Sequence, residues 1–157
     1  MRYLPAIAAL ALLLACGGGA GNPGDAVIDM FAALQEGNGE KAVSYMSSGA
    51  MEEMEATLDQ IRAEPEAIAY LSMMGIEMTA EDLEGMSAAE FTARLIESPM
   101  VSGIMSSAVV EIGEVTIDGD TAMVEVTTTV MDNSETHTIP VVMEGGSWKV
   151  TEFGMNL

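Results

Sequence analysis

In the segment 121-TAMVEVTTTV-130, apolar and polar side chains alternate. Successive side chains of a β-strand point to opposite faces, so the alternation gives this stretch one face for the core and one for solvent. The core-facing parity carries Ala122, Val124, Val126, Thr128 and Val130. We therefore predict a β-strand that lies with one face against the protein interior.

The residues around this strand predict an antiparallel meander. From Ala108 onward Val, Ile and Thr accumulate, and turn residues recur at regular intervals, at Asp118-Gly119, Asp132-Asn133-Ser134 and Glu144-Gly145-Gly146. Such spacing is typical of short strands joined by hairpins, and it predicts four strands. Pro140 removes one ladder donor from the third strand, so we expect it at an edge or a bulge. Trp148 shares the parity of Val150 in the last strand and is predicted to be buried between the sheet and the helices.

The chain before Ala108 has a helical pattern. Asn22 caps a first helix with Pro23 in its first turn, Gly37 ends it, and Val27, Phe31 and Leu34 form its apolar stripe. Further helices are predicted from the cap at Asn38 through Met46, along a stripe at 51–61, from Pro65 to Gly75, and after the capping box at 87–90. Helices followed by a meander indicate an α+β fold, with the N-terminal helices packed on one face of a curved four-stranded antiparallel sheet.

The first 16 residues have the features of a secretory leader. Leu4 to Ala15 are all apolar or Pro, and this run is too short to cross a bilayer as a stable helix. It ends in Leu13-Leu14-Ala15-Cys16, which resembles the bacterial lipobox. The resemblance implies cleavage after Ala15 and acylation of Cys16, whereas the alternative is an ordinary leader cut by the general signal peptidase. The chain has one cysteine, so no disulfide can form within the monomer.

These features divide the chain into a lipoprotein signal peptide at 1–15, a lipidated Cys16 with a flexible Gly-rich tether at 16–22, and one domain at 23–157. We expect the domain to be held at the bilayer through acylated Cys16 in a bacterial cell envelope. By resemblance to sorted lipoproteins, Gly17 favours the outer membrane, facing the periplasm. A net charge of -20 excludes nucleic-acid binding through a basic surface. It favours solubility and repels the domain from an anionic membrane surface. Adaptation to a saline habitat is an alternative explanation of this negative charge.

The sequence holds little that indicates catalysis or cofactor binding. It contains one His and lacks a Ser-His-Asp elbow, a phosphate loop and an HExxH motif, so we expect no cofactor and no metal. His137 shares strand parity with Ile139 and could project inward as a catalytic base, although a solvated or structural role is more common. The methionines at 51, 54, 73, 74, 78, 100 and 105 are interpreted as core packing, with Cu(I) binding as the alternative. Asp118-Gly119-Asp120 fits a hairpin turn better than a Ca²⁺ loop.

A family resemblance rests on short segments at both ends of the domain. These are 23-PGDAV-27, 31-FAALQEGN-38, 40-EKA-42, 119-GDTA-122, 139-IPVV-142 and 148-WKV-150. They resemble lipoprotein-borne members of the nuclear transport factor two-like superfamily. The resemblance implies a cone-shaped fold in which a curved sheet wraps around helices to form an apolar pocket.

Within such a cone, the candidates for the pocket or the core are Phe31, Val124, Val126 and Trp148. We expect a non-catalytic module that binds a small apolar ligand or an envelope protein. The alternative is a pocket enzyme of the isomerase or hydrolase type that uses a carboxylate or His137.

Overall fold

The computed structural model describes residues 21–73 and 75–152. The predicted leader, the lipobox residues Leu13, Leu14 and Ala15, and the lipidation site Cys16 lie outside these residues. The described part has seven helices followed by four strands, which confirms the predicted α+β class. Its elements are α1 Pro23–Gln35, α2 Gly39–Val43, α3 Ser48–Ala63, α4 Pro65–Met73, α5 Ala80–Glu84, α6 Ala88–Glu97, α7 Pro99–Met105, β1 Ala108–Asp118, β2 Thr121–Val130, β3 Asn133–Glu144 and β4 Ser147–Val150.

The first helix begins and ends where its capping residues predict. The Asn22 side chain accepts a hydrogen bond from the Gly24 N–H at 2.9 Å, and Pro23 occupies the first turn. Gly37 has a φ of 64°, a left-handed conformation that glycine adopts without a side-chain clash and that ends the helix. Local sequence therefore fixes both ends of α1.

The second helix is shorter than predicted, because the chain after it joins the sheet. The prediction extended this helix to Met46, but α2 ends at Val43. Val150 donates its N–H to the Tyr45 carbonyl at 2.8 Å, and Ser47 donates to the Val150 carbonyl at 2.9 Å. Residues 45–47 thereby run parallel to β4 and cover its outer edge.

Two short helices, α5 and α7, interrupt the middle of the chain, where the sequence pattern predicted helix without resolving its segments. Thr79 and Asp82 form a capping box at the start of α5. Ser98 caps α7, and Pro99 stands in its first turn. Both starts carry recognisable caps, but neither helix is long enough to show an apolar period.

The four strands form one antiparallel sheet in the order β1-β2-β3-β4, which confirms the predicted meander. Gly145 and Gly146 make the β3–β4 turn, both with positive φ, as predicted for this glycine pair. The β2–β3 turn is Met131-Asp132 rather than Asp132-Asn133-Ser134, because Val130 pairs with Asn133 and continues the ladder. Met131 has a φ of 57°. In β1 the pairing shifts between Ile112 and Val115, so this edge strand carries a bulge.

Pro140 lies in β3, between β2 and β4, and its pairing with Met123 is regular. The expectation of an edge strand or a bulge is therefore wrong. The Pro140 carbonyl accepts from the Thr151 N–H at 3.1 Å, so its amide nitrogen also faces the β4 side. Since β4 ends at Val150, the missing N–H removes a hydrogen bond only where that strand has already ended.

Two apolar clusters stabilise the domain. The first joins the α1 stripe of Val27, Phe31 and Leu34 to the inner face of the sheet, and each of these three side chains is at most 2% exposed. The second joins α3, α4, α5 and the start of α6, with Leu58, Leu83 and Phe91 fully buried or nearly so. Helix α6 belongs to both, because Ile96 is in the first cluster and Phe91 in the second.

Helices α2 and α6 approach each other most closely at Gly39. A Cβ atom at this position would lie 2.6 Å from the Cα atom of Ala93 and would also meet the Ala93 carbonyl oxygen. No Cβ atom fits there unless the two backbones move apart. Only glycine therefore permits this helix contact.

We predict that Gly39→Ala lowers the free energy of unfolding by about 2 to 3 kcal/mol, because the backbone of α6 has to shift. Chemical denaturation measures the loss. Gly85→Ala is the matched control, since a Cβ atom at Gly85 meets nothing within 4 Å. Equal stability changes in the two variants would contradict the close contact.

Candidate functional site

The strongest candidate site is a cleft of about 680 Å³ formed by α2, α5 and α6. Its lining combines carboxylates with small apolar side chains and a single cation, Arg94. The carboxylates belong to Glu40, Asp82, Glu90 and Glu97, and the apolar side chains to Val43, Met86, Ala89 and Ala93. We refer to it as the acidic cleft. Its size lies within the range of small-molecule binding clefts.

Helix periodicity explains how α6 supplies much of this lining. Residues spaced three or four apart share one face of an α-helix. Ala89, Ala93 and Glu97 are spaced by four, and Glu90 and Arg94 follow one residue after the first two. This face of α6 is turned toward α2, which approaches at Gly39. The close helix contact therefore also shapes the cleft.

Two carboxylates of the cleft are held by capping boxes. Asp82 Oδ2 accepts from the Thr79 hydroxyl at 2.7 Å and from the Thr79 N–H at 2.9 Å. Glu90 Oε2 accepts from the Ser87 N–H at 2.9 Å and from the Ser87 hydroxyl at 2.8 Å. Both predicted capping residues at 87 and 90 are confirmed in this role.

These hydrogen bonds favour the ionised form of both carboxyl groups. The Thr79 hydroxyl, followed by the Thr79 N–H, lowers the pKa of Asp82 below its ordinary value of 3.8. The Ser87 N–H, followed by the Ser87 hydroxyl, lowers the pKa of Glu90 below 4.5. Both groups are therefore ionised at neutral pH, and a cationic group in the cleft would meet two fixed anionic charges.

Arg62 fixes the segment between α5 and α6 that borders the cleft. Its guanidinium donates to the carbonyls of Leu83 at 2.9 Å and Met86 at 2.5 Å. It also binds Asp59 at 2.8 Å and Glu55 at 3.2 Å on α3. The hydrogen bond to Asp59 is the largest contribution that raises the pKa of Arg62. One side chain thus connects α3 to the α5–α6 link.

A second cleft, of about 610 Å³, lies between the start of α3 and the sheet. Its apolar lining includes Met123, Pro140 and Val142, and its carboxylates belong to Glu53 and Glu144. The Glu144 carboxylate accepts from the Ser48 N–H at 3.0 Å and from the Ser48 hydroxyl at 2.9 Å, at the N-terminus of α3. A smaller cleft of about 250 Å³ shares Arg94 and Glu97 with the acidic cleft.

The four residues predicted for the pocket or the core all lie in the first apolar cluster. Phe31, Val124 and Val126 are at most 2% exposed, and Trp148 is 7% exposed. None of them lines any of the three clefts described above. The acidic cleft lies instead on a helical face that the sequence analysis did not single out. Its only sequence signals are the two capping boxes, which do not reveal that α2 packs beside them.

His137 projects toward the helix-facing side of the sheet, since it pairs with the core residue Val126. Its Nε2 atom lies 3.4 Å from Glu135 Oε2, and about a third of its side chain is exposed. The residue lines none of the three clefts, and Val126 is the predicted candidate with which it pairs across the strands.

The methionines divide between the core and the surface. Met54 packs with Leu58 and Ile61 in the second cluster, as the predicted stripe requires. Met78 and Met105 are buried, as the core-packing interpretation requires. That interpretation is wrong for Met73 and Met100, which are 85% and 40% exposed, because neither side chain reaches an apolar cluster. Met74 lies outside the described residues. Residues 21–73 and 75–152 contain no group of three or more His, Cys, Asp or Glu side chains placed to hold a metal ion.

Comparisons with known proteins give no family for this chain. No protein-family model, no curated protein and no solved structure matches it. Among the described residues, no helix has the length and apolar character needed to cross a membrane.

We predict that the Glu90 capping box stabilises the domain at neutral pH and loses its effect in acid. The folded-state pKa of Glu90 lies below 4.5, so its contribution is fully present above that pH and disappears as pH falls through the lowered pKa. Glu90→Gln should therefore lower the Tm at pH 7, and the difference from the native chain should shrink toward about pH 2.5. Thermal melts across pH measure this. Glu111→Gln, outside the capping boxes, is the control, and an undiminished difference in acid would contradict the assignment.

Proposed function

We propose that this chain is a lipid-anchored protein of a bacterial cell envelope whose folded domain binds a ligand or partner without catalysis. The lipobox-like segment at 13–16 supports the anchor, and the Gly-rich tether at 16–22 supports a domain held close to the membrane. The segments that resemble the nuclear transport factor two-like superfamily support the same proposal, as do the N-terminal helices and the antiparallel sheet. The outer membrane, with the domain facing the periplasm, is the proposed location.

The observation that carries the binding role is the composition of the acidic cleft. Four carboxylates border apolar surface from Val43, Met86 and Ala93, and Arg94 is the single cation among the lining residues. A ligand that complements this cleft has an apolar part and a positively charged part, such as an alkylammonium group or a lysine side chain of a partner protein. An anionic ligand would be repelled by the cleft and by the net charge of -20.

Neither His137 nor Glu135 enters this proposal. Both lie on β3 and line none of the three clefts, so no described feature joins them to a bound substrate. The proposal therefore assigns binding to the acidic cleft and attachment to Cys16.

The anchor is tested by Cys16→Ser. A serine hydroxyl cannot form the thioether bond to a diacylglyceryl group, so the variant should keep its leader and appear as a larger precursor without acyl chains. Mass spectrometry of the membrane fraction measures both properties. Mature-sized, acylated protein from the Cys16→Ser variant would contradict the lipoprotein proposal and would leave the binding role untouched.

The binding role is tested with three ligands that share one tail. Octyltrimethylammonium, octyl glucoside and octyl sulfate share the octyl chain and carry a cationic, a neutral and an anionic head group respectively. We predict that the ammonium compound binds with a stoichiometry of one, and that the sulfate does not bind. Glu40→Gln combined with Glu97→Gln should weaken binding by about tenfold, since two charge contacts are removed. Isothermal titration calorimetry measures the affinities.

The control pairs Glu66→Gln on α4 with Glu111→Gln on β1, which changes the net charge equally but lies outside the acidic cleft. If both double variants weakened binding equally, the effect would come from net charge alone and the cleft would not be the site. Equal binding of the three head groups would also contradict the proposal.

A further inference from the structure

Among the methionines at 21–73 and 75–152, two differ from the others in their exposure to solvent. Met30, Met46, Met78, Met86 and Met105 are at most 8% exposed. Met73 and Met131 are 85% and 87% exposed, and Met100 and Met123 lie between, at 40% and 48%. The fold therefore presents two thioether groups almost completely to water.

The fold does not explain why methionine stands at position 131. Among the described residues, Met131 is the one non-glycine residue with a positive φ. This conformation brings the Cβ atom of an L-residue close to the backbone, so Gly or Asn is the usual choice in such a turn. With 87% of the residue exposed, the side chain gains little from packing. The thioether is thus kept at a position that disfavours it on structural grounds.

Met73 is a similar case at the end of α4. It is the last residue of the helix and is 85% exposed, whereas Leu71 in the same turn is buried in the second cluster. A polar side chain would serve the helix end equally well and would be better solvated. Two exposed thioethers are therefore present without a role in the core.

We propose that Met73 and Met131 are sites of reversible oxidation by peroxides. The sulfur lone pair attacks one oxygen of hydrogen peroxide, an S–O bond forms, and the O–O bond breaks. The second oxygen leaves as water after proton transfer. The sulfur is oxidised by two electrons to the sulfoxide, and the peroxide is reduced by the same two. Each site consumes one molecule of oxidant.

The exposure of both sites lets the fold tolerate this reaction. A sulfoxide at Met73 or Met131 stays in water, where its polar oxygen is solvated. The same change at Met30, which is fully buried in the first cluster, would place an unpaired polar group in the core. The domain can therefore take up two equivalents of oxidant at these residues and remain folded.

The experiment treats the processed protein in detergent with hydrogen peroxide and follows each methionine by residue-resolved mass spectrometry. We expect Met73 and Met131 to react about tenfold or more faster than Met30 and Met105, because reactivity follows exposure of the thioether. Circular dichroism and Tm should stay unchanged while these two residues react. Methionine sulfoxide reductases A and B together, one for each sulfoxide epimer, should restore the reduced protein when dithiothreitol is supplied. The dithiol gives up two electrons and becomes a disulfide, and the sulfoxide oxygen leaves as water.

The variant Met73→Leu with Met131→Leu should lose these two fast equivalents and keep the fold. Met100→Leu with Met123→Leu is the matched control and should keep both fast equivalents. Oxidation of Met30 as fast as Met131, unfolding during uptake of the first equivalents, or sulfoxides that the two reductases fail to reduce would each overturn the proposal. The measurement is independent of the acidic cleft and of the anchor.

Discussion

The contact between one stripe of α1 and the inner face of the sheet is the interaction on which the other elements depend. Val27, Phe31 and Leu34 are nearly inaccessible to water, and α1 contacts β1, β2 and β4. Burial of each such side chain contributes about 1.5 to 3 kcal/mol relative to exposure. Because α1 spans most of the sheet, it fixes the place of α2 beside it, and α2 in turn determines where α6 can pack.

Few cations are available to a chain that carries 25 acidic residues and 5 basic ones. Most of the cationic side chains in the described part either connect two elements or pair with a neighbouring carboxylate. Arg62 joins α3 to the α5–α6 link, Lys149 on β4 donates to the Ser44 carbonyl at 2.5 Å, and Lys41 pairs with Glu36. Within residues 21–73 and 75–152, Arg94 forms no ion pair within 4 Å, and the carboxylates around it outnumber it. The acidic character of the cleft follows from this distribution of scarce positive charge.

Much of the fold could be predicted because its signals are local. The caps of α1, the alternation in β2 and the glycine pair at 145–146 each depend on a few adjacent residues, and the structure has them as predicted. Short helices such as α5 were not resolved, since five residues cannot show a helical period. The predictions for the end of α2 and for the position of Pro140 were wrong, because each feature depends on a strand far away in the chain. The acidic cleft was missed for the same reason, since its carboxylates meet only when α2 packs on α6.

The pairing of residues 45–47 with β4 has a consequence for the order in which the chain folds. Ser44 and Lys149, which contact each other beside this pairing, are 105 residues apart in sequence. The helices that precede the sheet cannot complete their packing until β4 is present. Contacts between residues so far apart in sequence slow folding. A nascent chain therefore cannot complete this contact until its C-terminal strand has been synthesised.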